Sequence, residues 1–135
     1  PYYLYAEEYD ENWIEAWNIT KKLILEIKMF AEKYNSEFIL IVFPSIEQVD
    51  PNYWDFTKEM YPQLRKEKFE LDKPDVILET FCDDNDLNCI FYLNIFRQES
   101  ITTNTPLYYE IDGHFNEKGH NTVATHLYPK IKEKI

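Results

Sequence analysis

The chain has 135 residues, 44% of them hydrophobic, so it fits one compact domain that buries roughly two thirds of its unfolded surface. Its formal net charge of -11 excludes nucleic acid and makes anionic membrane surfaces poor partners, because both bind through concentrated Lys and Arg. The longest apolar run, residues 38–43, is far shorter than the ~20 residues of a membrane span, so none is predicted. The chain begins with Pro1 and not Met, which indicates a processed product or a piece of a longer protein.

The first third of the chain predicts a helix followed by a strand. Apolar residues at three- and four-residue steps predict one helix over residues 11–34, packed on a core. Residues 38–43 form a continuous β-branched and aromatic run stopped by Pro44, which predicts a parallel strand covered on both faces. The helical stripe consists of Trp13, Ala16, Trp17, Thr20, Ile24, Ile27, Ala31 and Tyr34.

The middle of the chain predicts fewer regular elements. Residues 50–73 are aromatic, charged and interrupted by two prolines, which indicates a loop with a short helix. Pro74 can begin a helix that runs to an acidic turn near residue 83. Residues 90–93 predict a second short strand, and residues 99–105 a polar loop.

The end of the chain predicts a last helix over residues 117–132, capped by Asn116. Pro129 predicts a kink or an early break in it. Its expected buried stripe is Val123, Ala124, Leu127 and Ile131. Helices alternating with strands predict a single α/β domain over residues 1–135, with an open, mostly parallel sheet and flanking helices.

The two cysteines, Cys82 and Cys89, flank a short polar run. They form either a disulfide, which would favour an oxidising compartment, or two unpaired thiols at the end of a helix and the start of a strand. Two cysteines alone do not make a zinc site, and the sequence predicts neither a metal nor another cofactor.

Only two glycines occur, Gly113 and Gly119, and both lie close to Asp112, His114 and His120. Glycine permits a positive φ angle and close approach of another group, so its restriction to one stretch indicates a functional loop. On an extended backbone, the side chains of Asp112 and His114 project from the same face, and their Cα atoms lie about 7 Å apart. A carboxylate so placed can fix the imidazole tautomer and leave the second ring nitrogen as a base.

The text around this pair, Pro106-Leu-Tyr-Tyr-Glu-Ile-Asp112-Gly113-His114-Phe115-Asn116-Glu-Lys-Gly119-His120 followed by a helix, resembles the last conserved block of SGNH/GDSL-type hydrolases. The resemblance implies a flavodoxin-like SGNH fold, in which this block supplies the catalytic Asp and His. The spacing Asp-x-His is more like that of relatives associated with polysaccharide acetylation than the commoner Asp-x-x-His.

The resemblance also implies that the nucleophile lies outside this chain. The family's Gly-Asp-Ser block and its other oxyanion blocks each contain glycine, and neither Gly113 nor Gly119 lies in such a block. Ser45 follows a strand but lacks flanking glycines, and Pro44 donates no N–H to an oxyanion hole. We therefore expect Ser45 to start a turn or cap a helix containing Ile46 and Glu47.

These expectations lead to two hypotheses. The first is the C-terminal part of a serine ester hydrolase or acyltransferase, with His114 as general base and then acid, Asp112 as its orienter, and an acyl ester or acetylated glycan as substrate. The alternative is a non-catalytic protein- or carbohydrate-interaction domain derived from that fold. A structural role is expected for His120, and none in catalysis for His126. A truncated sheet should also leave a strand edge or apolar face uncovered, so the missing N-terminal portion or self-association should cover it.

Overall fold

The computed structural model describes residues 2–132, which are mostly helical and contain one two-stranded parallel sheet. None of the helices in this part of the chain combines the length and apolar character that a membrane span requires. The strands are β1 (Leu40–Val42) and β2 (Cys89–Phe91). The helices are α1 (Glu11–Lys33), α2 (Ile46–Val49), α3 (Pro51–Met60), α4 (Lys73–Asp84), α5 (Leu93–Thr103) and α6 (Glu117–Lys132), with 3₁₀ turns at Tyr2–Tyr5 and Pro62–Lys66.

The chain divides into two compact units, each built from two separate stretches. The first unit comprises residues 1–42 and 61–90, and the second comprises residues 43–60 and 91–135. The prediction of a single domain stays a prediction.

In the first unit, the start of the chain pairs with the stretch that leads into α4. Ala6 forms an antiparallel bridge with Phe69. The Lys73 ammonium donates to the carbonyls of Ala6 and Glu7, both at 2.7 Å, and lies 3.6 Å from the centre of the Tyr9 ring. Lys73 therefore ties the first residues to the start of α4 through charge-assisted hydrogen bonds and a cation–π contact.

Helix α1 begins at the predicted residue and ends one residue earlier than predicted, but its burial differs from the prediction. The carboxylate of Asp10 accepts from the backbone N–H of Trp13 at 2.9 Å and caps the helix. None of its side chains is fully buried. The prediction that its stripe is laid on a core is therefore wrong in part: a face including Trp13, Trp17 and Ile24 is half-buried, whereas Ile27 and Tyr34 are exposed.

The disulfide interpretation of the two cysteines is confirmed. Cys82, near the end of α4, is bonded to Cys89, the first residue of β2, with their Cα atoms 6.4 Å apart. The turn between them is closed by the N–H of Leu87, which donates to the carbonyl of Cys82 at 2.9 Å. Asp86 in this turn has a φ of 48°, the left-handed conformation common where a helix ends.

The second unit has an aromatic core. Tyr92 and Phe96 are completely buried, and Tyr108 is nearly so. Phe115 packs against Phe96 and Tyr108 with ring centroids 4.9 and 5.3 Å apart. The hydroxyl of Tyr92 donates to the carbonyl of Val123 at 3.2 Å, which joins this core to α6.

Several predicted elements differ from the structure. The strands are shorter than predicted, and the expected burial of the first on both faces is wrong because none of its residues is fully buried. The predicted loop at residues 99–105 is largely the second half of α5. Helix α6 continues through Pro129 without an early break. Its fully buried residues are Gly119 and Thr122, whereas the predicted stripe is half-buried except for the exposed Ala124.

Candidate functional site

The Asp-Gly-His segment forms the tip of a tight hairpin in the second unit. Tyr108 and Phe115 form an antiparallel bridge at its base. Above this bridge, the N–H of Tyr109 donates to the carbonyl of His114 at 2.8 Å. The N–H of Gly113 donates back to the carbonyl of Tyr109 at 2.9 Å, and the φ of Gly113 is 68°. Glycine is favoured at this position because a side chain makes a positive φ costly.

Asn116 fixes the base of the hairpin to the start of α6. Its side-chain amide donates to the carbonyl of Pro106 at 2.8 Å and more weakly to that of Tyr108 at 3.3 Å. Its side-chain oxygen accepts from the N–H of Gly119 at 3.0 Å, which confirms the predicted helix cap. Gly119 itself lies so close to Leu107 that a Cβ atom there would be 2.3 Å from the Leu107 carbonyl oxygen. The two glycines therefore serve two needs, a positive φ and a close approach.

The Asp112 and His114 side chains meet at the tip. Asp112 Oδ2 lies 3.2 Å from His114 Nδ1. The other carboxylate oxygen accepts from the backbone N–H of His114 at 3.0 Å. The His114 side chain is 81% exposed, so this pair faces solvent. The carboxylate can therefore hold the proton on Nδ1 and leave Nε2 accessible as a base.

The local hydrogen bonds lower the pKa of Asp112. The largest cause is the backbone N–H of His114, which stabilises the charged carboxylate, and the His114 side chain adds to it. A lowered carboxyl pKa contributes stability above the ordinary carboxyl range and loses it as the pH falls through the lowered value. The hairpin tip is therefore expected to loosen only in acid.

A single substitution can test which group of His114, the backbone N–H or the imidazole, is the main cause of the lowered Asp112 pKa. We expect His114→Ala to leave the pKa of Asp112 below its ordinary range, because alanine keeps the backbone N–H that is the main cause. Titration of the Asp112 carboxyl carbon by NMR measures the value directly. A return to the ordinary carboxyl pKa in His114→Ala would show that the imidazole is the main cause, contrary to this expectation.

Ser45 lies at the start of α2 and caps it, as expected. Its backbone N–H donates to the side-chain oxygen of Gln48 at 2.9 Å in a capping box. The neighbouring Pro44 carbonyl accepts from the Tyr108 hydroxyl at 2.9 Å. The segment after β1 and the hairpin therefore meet, but Ser45 is occupied as a helix cap.

The two remaining histidines lie on α6. The His120 ring packs edge-on against Phe115 with centroids 5.8 Å apart. His126 Nδ1 lies 2.9 Å from the carbonyl of Thr122 in the same helix. Within residues 2–132, no three His, Cys, Asp or Glu side chains come together as a possible metal site.

A cavity of about 470 Å³ opens beside the hairpin in the same unit. Its floor includes the buried residues Ile46 and Leu107. The rim carries the aromatic pair Tyr53 and Phe56, whose ring centroids are 6.1 Å apart, and Ile111, which is 99% exposed. An apolar cavity with a few polar groups has the character of a ligand site.

Sequence reasoning identified the hairpin but missed this cavity. Tyr53 and Phe56 lie three residues apart, on one face of α3, and that spacing was the available signal. It was obscured because residues 50–73 predict a loop with a short helix of unspecified position, whereas Pro51 begins a ten-residue helix. Tyr108, beside the site in sequence, belongs to the core, while Tyr109 is exposed.

No protein family, curated protein or solved structure matches this chain. The resemblance to SGNH/GDSL-type hydrolases therefore remains an interpretation of the hairpin residues.

Proposed function

We propose that this chain is the C-terminal part of an SGNH/GDSL-like enzyme that acts on carboxylic esters, including O-acetyl groups of glycans. The observation that carries the proposal is the 3.2 Å approach of Asp112 to His114 on a hairpin whose base is held by Asn116. A rigid base keeps the pair in place, and precise placement is what general acid-base catalysis requires.

In the proposed reaction, His114 Nε2 removes the proton from a serine hydroxyl supplied outside this chain. The serine oxygen bonds to the ester carbonyl carbon, the bond to the leaving alcohol breaks, and His114 returns the proton to that alcohol. Water or a sugar hydroxyl then takes the acyl group by the reverse sequence. Asp112 orients the imidazole and stabilises its charged form.

Two features of the second unit support this proposal. The cavity beside the hairpin offers apolar and aromatic contacts for an acyl group or sugar ring, and Glu110 and Ile111 of the hairpin line it. The exposure of His114 fits a site whose remaining walls come from elsewhere, since catalytic pairs work best where water is excluded.

The proposed fold extends beyond the observed sheet. We propose that β1 and β2 are two strands of an open, flavodoxin-like sheet completed by the nucleophile-bearing portion. The Cys82–Cys89 disulfide favours an oxidising compartment for the whole protein.

We expect the isolated chain to hydrolyse p-nitrophenyl acetate no faster than background, because His114 has no nucleophile to activate. Robust turnover that disappears in Ser45→Ala would overturn this expectation. The experiment in which we expect activity uses the full protein encoded by the reading frame. There His114→Ala should lower kcat by about 10³-fold, whereas the matched control His126→Ala should not.

A reading frame without a Gly-Asp-Ser block, or full activity in His114→Ala, would refute the proposed chemistry.

One observation favours the alternative, an interaction domain: Ile111 is almost fully exposed at the cavity rim, as in a binding surface. Binding of an acetylated glycan that is lost in Phe56→Ala, with activity untouched by His114→Ala, would support that alternative.

A further inference from the structure

Helix α1 presents a continuous apolar stripe to solvent. Leu23, Ile27 and Phe30 of this helix, and Tyr34 directly after its last residue, are each more than half exposed. They follow the three- and four-residue spacing of one helical face, which Ala16 and Thr20 extend toward the start of the helix. An exposed apolar face of this length is unusual on a monomeric protein and indicates an interface.

The side-chain sizes along the stripe are complementary to those of a second copy of the stripe that runs in the opposite direction. Leu23 and Ile27 lie at equal distances from its midpoint and are similar in size. Farther out, the small Thr20 mirrors the large Phe30, and at the ends the small Ala16 mirrors the large Tyr34. Two copies of the helix in antiparallel orientation would therefore place small residues opposite large ones, which favours close packing.

The charged residues along one side of the stripe are mirrored about residue 24, one position from the centre of the apolar stripe at residue 25. Glu15 mirrors Lys33, and Lys22 mirrors Glu26, about a nearby point of the helix. All four side chains belong to exposed residues. In an antiparallel pair, each of these carboxylates would lie near an ammonium group of the other copy.

We propose that a second copy of this chain covers the stripe, with the two α1 helices antiparallel about a two-fold axis. A two-fold interface requires a surface complementary to itself, and the matched sizes and charges meet that requirement. The 23-residue helix is about 35 Å long, which provides an extended contact. The net charge of -11 opposes association, and the paired Glu and Lys residues offset this repulsion locally.

This proposal does not depend on the ester chemistry, because the stripe lies in the first unit and the hairpin in the second. The first experiment is sedimentation equilibrium of the purified chain over a wide concentration range. The wild type should be a dimer, and Leu23→Asp should be a monomer with an unchanged circular dichroism spectrum. The matched control is Ile101→Asp on α5, which changes an isoleucine that is 77% exposed and should stay dimeric.

Charge reversal tests the orientation. Glu15→Lys alone and Lys33→Glu alone should each weaken dimerisation by about tenfold, because the two symmetric contacts then bring like charges together. The double variant Glu15→Lys/Lys33→Glu should restore the wild-type dissociation constant.

A wild type that stays monomeric at high micromolar concentration would overturn the proposal. So would a Leu23→Asp variant that remains a dimer, or a double charge variant no tighter than the single ones.

Discussion

Replacing Gly119 with alanine should destabilise the second unit by about 3 kcal/mol. The added Cβ would lie 2.3 Å from the Leu107 carbonyl oxygen and 3.1 Å from the Cβ of Phe115. That carbonyl also accepts from the N–H of Asn116 at 3.0 Å, so it cannot retreat without weakening the hairpin base. Urea unfolding followed by circular dichroism measures the loss.

Two alanine substitutions calibrate this result. Gly113→Ala should cost only about 1 kcal/mol, since its positive φ is strained but its Cβ would lie an ordinary 3.6 Å from Ile46 Cγ2. Asn121→Ala, at an exposed position of α6, should change stability by less than about 0.5 kcal/mol. A Gly119→Ala variant no less stable than Gly113→Ala would contradict the close approach.

Removing the Cys82–Cys89 disulfide should cost about 2 to 3 kcal/mol, because the bridge restricts the unfolded chain. The double variant Cys82→Ala/Cys89→Ala is preferred because Cys82 is only 4% exposed, and a serine there would bury a hydroxyl group. Urea unfolding under oxidising conditions compares it with the wild type.

The control repeats both measurements in a reducing buffer. The wild type should then fall to about the stability of the double variant, because its bridge is broken. A double variant as stable as the oxidised wild type would contradict a stabilising bridge. Because the bridge lies within the first unit, the cavity and hairpin should be unaffected in a folded variant.

The sequence was most informative where one residue type determines local structure. The bounds of α1 and α6 follow from their apolar spacing and from the caps at Asp10 and Asn116. Pro74 correctly marked the start of α4. The hairpin contact between Asp112 and His114 was also predictable, since the two residues are only two positions apart.

The second half of α5 could not be read from composition. Its Ser- and Thr-rich sequence is typical of a loop, yet the Thr103 hydroxyl donates to the carbonyl of Glu99 within the helix at 2.8 Å. The helix ends where Asn104 adopts a φ of 46°. The loop prediction failed because such a hydroxyl group can form its hydrogen bond to a backbone carbonyl within the helix.

Burial was the least predictable property, because it depends on what lies against each element. The apolar sequence of residues 38–43 predicts a covered strand, but β1 spans only Leu40–Val42, and Phe43 is 43% exposed. The helical stripe predicted from Trp13 to Tyr34 was expected to face a core, and half of its residues are exposed. Periodicity identifies a face that needs a neighbour but does not identify the neighbour.

The interleaving of the two units has a consequence for synthesis on the ribosome. The chain passes from one unit to the other after Val42, after Met60 and again after Ile90. The first unit therefore cannot be completed until residue 90 has emerged, although α1 emerges earlier. During that interval the apolar side chains of α1 have neither their own unit nor a second copy to contact, and this nascent segment is where we expect a chaperone to bind.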